Sequence, residues 1–428
     1  MLILDLINRK GVFAILLEFK KNNQPSLQFI RDTIDVSELD LKTQEMRYHY
    51  RVVIKLKNLE KNKSRIHRYT EFLNRWINKA TNTAYNEAGN IVPFLNYIHF
   101  ELSKKELPSI QDLSFDHGIE YLEMKSKTSS WLTMRTIERT LDKFYYFLAE
   151  KGILNDINKS DFVYLGAQNG KRQLESHFRG KYYLPNKRKQ QDKLHQIENS
   201  LIFEFILTAL QYHPQIALGI YFQIFGGLRV GEIVNLEYKK INTRGPFGRN
   251  GMVLEISNSY LRRDLRETAI TSSKKPRNQP ILTFGSLLEE LYKNHKKEYR
   301  KMTSDAVFID RNGNAMSRST YTYHFNMVKE KFVEKLKKSE NPDHKLYASF
   351  LVTQKWSTHI GRGIFSSIIA ETANNASEIA VLRGDSDLRS ALIYLNDSRR
   401  LETRISGKLN DFYVDEMKKS LLETLNKE

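Results

Sequence analysis

The chain has 428 residues, of which 68 are lysine or arginine and 50 are aspartate or glutamate, so its formal net charge is +18. Hydrophobic residues make up 40% of the chain and aromatic residues 11%, which is enough for packed cores, so the net charge alone does not make this a disordered chain. Cysteine is absent, which excludes disulfides, thiolate zinc sites and a cysteine nucleophile. The length predicts two or three domains, and the positive charge favours a polyanionic partner such as DNA or RNA.

The apolar runs are too short to form a membrane helix. The longest, such as Phe13–Leu17, fall far short of the ~20 residues that span a bilayer. The amino terminus, MLILDLINRK, has an acid within its apolar stretch and no basic lead, so it does not predict a secretory signal. We therefore expect a soluble cytoplasmic protein that associates with the nucleoid.

The first seventy residues predict a mixed, basic segment. Val12–Phe19 has the pattern of a strand, and the stretch 44–68 is rich in lysine and arginine with interleaved tyrosines. Such a stretch can hold a nucleic-acid backbone and stack bases, or it can be a solvated face whose tyrosines pack at its margin. Residues 1–70 are thus a candidate for an additional DNA- or protein-binding region.

Residues 71–157 have the periodicity of a small helical domain. Apolar residues recur at intervals of three and four, with Ser129, Ser130 or Thr133 as helix caps and Gly152 as a helix end. Pro93 is expected to kink one helix. The apolar positions are Ala84, Ile91, Leu95, Ile98, Ile119, Leu122, Met134, Ile137, Leu141, Phe144 and Leu148.

Residues 158–195 predict a basic linker between two domains. Between positions 171 and 193 there are eight lysines and arginines against two acids, and the run Tyr-Tyr-Leu-Pro at 182–185 interrupts helix formation. This segment would contact phosphates if the flanking domains close around a duplex, or it would be a solvated connector. The candidate DNA contacts are Lys171, Arg172, Lys187, Arg188 and Lys189.

Residues 196–412 predict a larger, mostly helical domain with one small sheet. The predicted strands are Val253–Ile256, Ala269–Thr271 and Ile281–Thr283, with a turn at 274–278 between the last two. A second turn falls at 310–314, and the tail 413–428 has the spacing of a short amphipathic helix. That tail would exchange with a neighbouring subunit or pack on its own domain.

Three local patterns in this larger domain belong together. They are Gly-Gly-Leu-Arg-Val-Gly-Glu-Ile at 226–233, Thr-His-Ile-Gly-Arg at 358–362, and Leu-Arg-Gly-Asp-Ser at 382–386 with Tyr394 nine residues after the aspartate. In order and spacing they resemble the tyrosine recombinase (phage integrase) family, over roughly residues 71–412. The resemblance implies an all-α core-binding domain and a mostly helical α+β catalytic domain with a small antiparallel sheet, which form a C-shaped DNA clamp.

The chemistry of these residues agrees with the resemblance. A tyrosine that attacks a phosphodiester needs the charge on two non-bridging oxygens to be stabilised, and the planar, permanently charged guanidiniums of Arg229 and Arg362 suit that task. His359 lies three residues before Arg362, on the same helix face, and can accept the proton of a phenol whose reference pKa is near 10. Tyr394 is the predicted nucleophile, and Glu232 is expected to orient Arg229. Each residue alone would more often be structural; only their combination points to catalysis.

The resemblance also places a lysine, which protonates the leaving 5′-oxygen, on the hairpin between the first two patterns. The turn here holds Lys274 and Lys275, while the usual position falls near Ser272; we assign Lys274. Asp385 stands where the family usually has histidine or tryptophan, and an ionised carboxylate there would repel phosphate unless it were paired, protonated or turned away. Gly363 also occupies a position that more often holds a larger residue.

The predicted function is site-specific DNA recombination through a 3′-phosphotyrosyl intermediate and a Holliday junction. The active assembly would be a homotetramer on two double-stranded DNA sites, with accessory DNA-bending or directionality proteins as further candidate partners. No cofactor or metal is predicted, since neither a glycine-rich phosphate loop nor a carboxylate cluster for Mg²⁺ stands out. The alternatives are a type IB topoisomerase-like or telomere-resolvase enzyme, and a non-cleaving architectural DNA-binding protein of the same fold.

Overall fold

A computed structural model describes most of the chain as two compact units. The described residues are 27–40, 45–74, 81–102, 105–168, 171–186, 194–244, 251–257, 260–262, 264–265, 276–301, 304–372, 375–384, 419–420 and 422–424. The first unit lies in the described residues up to 186, and the second in those from 194 onward. No helix within these ranges is both long enough and apolar enough to cross a membrane. The strand predicted at Val12–Phe19 lies outside them.

The first unit begins with a three-stranded antiparallel sheet in the order β1-β2-β3. Its strands are β1 (Leu27–Asp40), β2 (Glu45–Asn58) and β3 (Lys63–Ile66). In β2, Val52, Ile54 and Leu56 are all buried, as expected for alternate residues that face one side of a sheet. This sheet lies within the segment for which the sequence predicts only a mixed, basic character.

Helices follow, and they match the predicted periodicity. They are α1 (Thr70–Asn74), α2 (Thr81–Asn96), α3 (Phe115–Ser126) and α4 (Trp131–Glu150), and a π-helical turn (Tyr97–Glu101) follows α2. In α4, Met134, Leu141 and Leu148 are fully buried, and the Ser130 hydroxyl accepts the Thr133 N–H as an N-cap. Gly152, with φ of +62°, follows its end. The predicted helix and both of its ends are therefore confirmed.

Sheet and helices of the first unit share one hydrophobic core. Phe144 of α4 contacts Tyr69 and Phe72 edge-on, and Phe29 of β1 packs on Tyr69. A second hairpin, β4 (Tyr164–Gln168) with β5 (Lys171–Leu174), lies in the described residues after α4. Phe178 beyond it is fully buried in the same core. The five-segment division of the chain remains a prediction.

Two buried carboxylates on α4 hold the segment after β5. Glu138 accepts the Tyr182 hydroxyl at 2.7 Å and also pairs with Arg135, with Arg135 Nη1 at 2.8 and 3.0 Å from its two oxygens. Asp142, one turn further along, accepts the His177 N–H at 3.2 Å. Burial chiefly raises the pKa of Asp142 to about 7, with the nearby Glu138 adding to the rise. Polar contacts as well as apolar burial therefore fix this part of the predicted linker.

The second unit is mostly helical with one three-stranded antiparallel sheet. Its helices are α5 (Ile202–Tyr212), α6 (Pro214–Gly226), α7 (Val230–Val234), α8 (Leu287–Tyr299), α9 (Arg318–Lys338), α10 (Pro342–Thr353), α11 (His359–Thr372) and α12 (Ala376–Arg383). Its strands are β6 (Ile241–Asn242), β7 (Met252–Ile256) and β8 (Arg277–Ile281), in the order β6-β7-β8.

The sheet corrects one prediction made from the sequence. Arg277 and Asn278 are not turn residues, as predicted, but open β8, where Arg277 pairs with Ile256 of β7. The last strand accordingly ends at Ile281 instead of starting there. The strand predicted at Ala269–Thr271 lies outside the described residues.

Helix α6 is the central element of the second unit. Every residue from Ile216 to Gly226 is buried, as expected for a helix that is apolar all round. Its one buried amide, Gln223, accepts the Tyr321 hydroxyl of α9 at 3.0 Å and donates to the Thr358 carbonyl at 3.2 Å. Because Thr358 immediately precedes α11, this satisfied polar link sets the start of that helix against α6. The first two sequence patterns are thereby brought together.

Candidate active site

The first pattern forms a tight connection between α6 and α7. Gly227 ends α6 with φ of +64°, a left-handed conformation that favours glycine, and a Cβ there would lie 2.3 Å from Phe365 of α11. Arg229 then occupies the N-cap position of α7, and its N–H donates to Glu232 Oε2 at 2.9 Å. Glycine thus lets α11 approach closely, while Glu232 fixes the backbone of Arg229.

Glu232 is the buried anion of this site. Its side chain is 1% exposed and binds two arginines: Arg229 Nη1 lies 3.3 Å from Oε1, and Arg277 donates in a fork, Nη1 to Oε1 at 2.8 Å and Nη2 to Oε2 at 3.1 Å. Burial alone would raise the pKa of Glu232, but the hydrogen bonds and charge of Arg277, followed by those of Arg229, hold it below its usual value. Glu232 is therefore a carboxylate at neutral pH.

Arg277 is a component of the site that the sequence prediction missed. It lies 45 positions after Glu232, in a stretch with the composition of a turn, and its Nε also donates to Gln279 Oε1 at 2.7 Å. In the sequence, the one signal for Arg277 was a basic residue shortly before the Pro-Ile pair that ends β8. The prediction that Glu232 serves Arg229 therefore captured only the weaker of its two side-chain ion pairs.

The second pattern begins α11 and contributes a buried guanidinium. Arg362 is 5% exposed; its Nη1 donates to the Gly227 carbonyl and its Nη2 donates to the Arg383 carbonyl at 2.8 Å. One side chain thus links all three patterns, since Gly227 belongs to the first and Arg383 to the third. His359, three positions earlier on the helix, is solvent-exposed.

The third pattern closes α12 next to β8. Gly384 follows the helix in the left-handed conformation, with φ of +64°, and its N–H donates to the carbonyls of the preceding turn. The Leu382 carbonyl accepts the Gln279 Nε2 donor at 3.0 Å. Two further predicted residues of this region, Asp385 and Tyr394, lie outside the described residues.

The structure brings Arg229, Glu232 and Arg362 together, and it places His359 at the exposed start of α11. Lys274 lies outside the described residues, as do three of the five candidate DNA contacts. Those three are Lys187, Arg188 and Lys189. The other two, Lys171 and Arg172, lie in β5 of the first unit.

Four arginines meet in the described part of the site. Arg229, Arg277, Arg362 and Arg383 lie on the elements that meet here, and three of them are mostly buried. Glu232 is the carboxylate that binds two of them. Guanidiniums that converge in this way are suited to bind a phosphate or another oxyanion.

Solved structures that are similar to this chain include a transposon integrase and a site-specific recombinase. The Tn1549 transposon integrase in complex with circular intermediate DNA matches with a TM-score of 0.51 and 16% identity, over 76% of this chain and 93% of that chain. A variant of that integrase in complex with transposon right end DNA matches with a TM-score of 0.50 and 17% identity, over 78% and 97%. The site-specific recombinase XerH, bound to its difH substrate, matches at 0.48 and 15%, over 77% and 80%.

No protein-family model matches the sequence, and no curated protein matches it. The structural similarity nevertheless shows that the chain has the tyrosine recombinase fold, built from helices and small antiparallel sheets. This confirms the family resemblance predicted from the three patterns at the level of the fold.

Proposed function

We propose that the protein is a site-specific DNA recombinase that cleaves and rejoins double-stranded DNA through a covalent 3′-phosphotyrosyl intermediate. One observation carries the proposal: the hydrogen bonds of Arg362 join the three sequence patterns into one site, in which Glu232 also binds Arg229 and Arg277. A generic basic protein has no need to converge its arginines in this way. A scissile phosphate is the ligand that such a cluster fits.

In the proposed reaction, the Tyr394 hydroxyl attacks the scissile phosphorus, and the bond from phosphorus to the 5′-oxygen breaks. Arg229, whose side chain is 23% exposed, would donate to a non-bridging oxygen, while the buried Arg362 would stabilise the same charge from beneath. The exposed His359 would accept the phenolic proton. Glu232 would act by holding Arg229, without contacting the DNA.

Two residues complete the proposed chemistry. Lys274 would return a proton to the leaving 5′-oxygen, which makes that oxygen a better leaving group. Asp385 occupies the position at which the family has a residue that donates a hydrogen bond to the phosphate. As a carboxylate it would weaken phosphate binding unless it is protonated or paired. We expect a lower rate or altered control of cleavage in consequence, with the arginines, His359 and Tyr394 still sufficient for activity.

The remaining predictions concern assembly. The two units would form a C-shaped clamp on the duplex, with the basic residues of 171–193 near its phosphates. Exchange of strands would pass through a Holliday junction in a homotetramer on two DNA sites, with accessory DNA-bending or directionality proteins as further partners. Such a protein would act in the cytoplasm, on the nucleoid.

The test is covalent trapping on nicked suicide DNA that carries the candidate recombination site. Wild type, Tyr394→Phe and a matched control, Tyr323→Phe, would be compared on denaturing gels, with EDTA present. Tyr323 is a 59% exposed tyrosine on α9, so its loss should leave the adduct unchanged. An adduct that forms with wild type and Tyr323→Phe but not with Tyr394→Phe supports the proposal. An adduct that persists in Tyr394→Phe refutes the assignment of the nucleophile.

Asp385 motivates the alternative of a non-cleaving architectural protein. Site-specific binding without an adduct in wild type, and still without one in Asp385→His, would favour that alternative. Cleavage gained in Asp385→His would instead identify an enzyme restrained by its carboxylate. Relaxation of supercoiled plasmid that lacks the site would favour a topoisomerase, and hairpin products would favour a telomere resolvase.

A further inference from the structure

The carbonyl end of α12 is held by side chains from two other elements. The last carbonyls of a helix have no partner within it and must find other donors. Here the Leu382 carbonyl accepts Gln279 Nε2 of β8 at 3.0 Å, and the Arg383 carbonyl accepts Arg362 Nη2 of α11 at 2.8 Å. The end of α12 is therefore fixed from outside as well as by its own Gly384 cap.

Arg277 links this helix end to the first pattern. All three of its nitrogens donate: Nε to Gln279 Oε1 at 2.7 Å, and Nη1 and Nη2 to the two oxygens of Glu232. Gln279 is fully buried, and its amide nitrogen in turn donates a hydrogen bond to the Leu382 carbonyl. The chain of contacts Glu232–Arg277–Gln279–Leu382 thus runs through hydrogen bonds of 2.7 to 3.1 Å.

Arg277 also packs directly against the residue at which the chain leaves α12. A Cβ on Gly384 would lie 2.5 Å from Arg277 Cδ and 2.7 Å from its Nε. The arginine side chain and the glycine are therefore close together, and a larger residue at position 384 would force Arg277 to shift. Side chain and helix end determine each other's position.

We propose that Arg277, acting through Glu232 and Gln279, is a positioning residue that fixes where the segment bearing Tyr394 leaves α12 relative to Arg229. This inference rests on the proposed function for its catalytic consequence. Arg277 differs from Arg229 and Arg362 because its forked ion pair with Glu232 consumes the donors that a phosphate would need. Its contribution is geometric, since Tyr394 follows Gly384 by ten residues and a displaced helix end displaces the start of that segment.

The test uses the full-length protein with Arg277→Lys and Gln279→Met, each of which keeps side-chain bulk but removes the fork or the amide. Arg262→Lys is the matched control: Arg262 is likewise held by ion pairs, with Asp264 and Asp310, and is 19% exposed, but its described contacts include none of the three patterns. The first readout is the single-turnover cleavage rate at saturating DNA, at a temperature far below unfolding, together with the DNA dissociation constant.

For both β8 variants we expect cleavage to slow by about tenfold to a hundredfold, as for a misplaced reactive group, with the dissociation constant nearly unchanged. Arg262→Lys should cleave like wild type. A merely structural arginine would lower thermal stability and leave the rate at saturating DNA unaltered. Wild-type cleavage rates in both β8 variants would overturn the proposal.

The second readout, amide hydrogen exchange of residues 380–384, does not depend on cleavage. Arg277→Lys and Gln279→Met should speed exchange at these amides by about tenfold or more, while Arg262→Lys should not. In Gln279→Met the Leu382 carbonyl loses its external donor, and in Arg277→Lys that donor, Gln279, loses the arginine that holds it. If wild type forms no DNA adduct, the proposed function fails, and exchange alone decides this inference. Unchanged exchange in both variants would then overturn the positioning role.

Discussion

In the substitution Gly363→Ala, helix propensity and packing predict changes in stability of opposite sign. Gly363 lies inside α11, where alanine would ordinarily stabilise a helix by about 1 kcal/mol. A Cβ at this position would, however, lie 1.7 Å from the main-chain carbonyl oxygen of His195. The structure therefore predicts that the variant is less stable than wild type.

The size of the destabilisation follows from the clash with the His195 carbonyl oxygen. To reach an ordinary van der Waals contact the two atoms must separate by roughly 1.5 to 2 Å, and the blocking atom is backbone, which cannot rotate away. Overpacking of well-packed sites typically costs 1–3 kcal/mol, and we expect the upper end of that range here. After the propensity gain of about 1 kcal/mol, the net loss in the free energy of unfolding is about 2 kcal/mol. This contact is a physical reason for glycine at a position where the family resemblance led us to expect a larger residue.

The assay is urea unfolding of the full-length protein, followed by far-ultraviolet circular dichroism and tryptophan fluorescence. Gly313→Ala is the control: Gly313 has φ of +79° and no atom near its missing Cβ, so it should lose only about 1 kcal/mol, from backbone conformation. Gly363→Ala should unfold at a clearly lower urea concentration than that control. A Gly363→Ala protein as stable as wild type, or more stable, would refute the reasoning.

Three further predictions concern buried ionisable groups. Glu232→Gln should cost about 3–5 kcal/mol, because it leaves Arg277 buried without its anion, whereas Glu334→Gln on the surface of α9 should change urea stability far less. Asp142 has a folded pKa raised to about 7 by burial, so wild type should lose stability as pH rises from about 4 to 7; Asp142→Asn should abolish that slope in urea titrations. Burial above all lowers the pKa of His67 to about 4, so protonation costs stability as pH falls from about 6.5 to 4, and His67→Asn should flatten acid unfolding over that range. A pH profile unchanged by either substitution would contradict its assignment.

The sequence predicted those features whose structure is determined by residues close together in the chain. The α4 periodicity, with Met134 and Leu141 on its buried face, sets a helix without reference to distant residues. The three patterns are equally local: Arg229 and Glu232 share one turn, and Arg362 lies a fixed three residues beyond His359. Arrangements that depend only on the spacing of residues within one helix or turn could therefore be predicted.

The constraints that depend on distant pairing were not. Strand β8 reads Arg-Asn-Gln-Pro-Ile, and its proline and low β propensity argue against a strand, yet it pairs with β7 in regular register from Arg277 to Ile281. That pairing is what aims Arg277 at Glu232, 45 positions away. The N-terminal sheet was missed for a similar reason, since its basic residues obscured the alternation of Val52, Ile54 and Leu56.

Arg277 and Arg362 donate to different kinds of acceptor, which suggests different roles for the two arginines. The fork of Arg277 meets a carboxylate, so its charge is compensated within the protein. Arg362 instead donates to two neutral carbonyls, Gly227 and Arg383, which satisfy its hydrogen bonds without cancelling its charge. A guanidinium whose described acceptors are neutral keeps its charge, and under the proposed function that charge would face the scissile phosphate. Under the proposed function, the same scaffold would use Arg277 for position and Arg362 for the charge of the transition state.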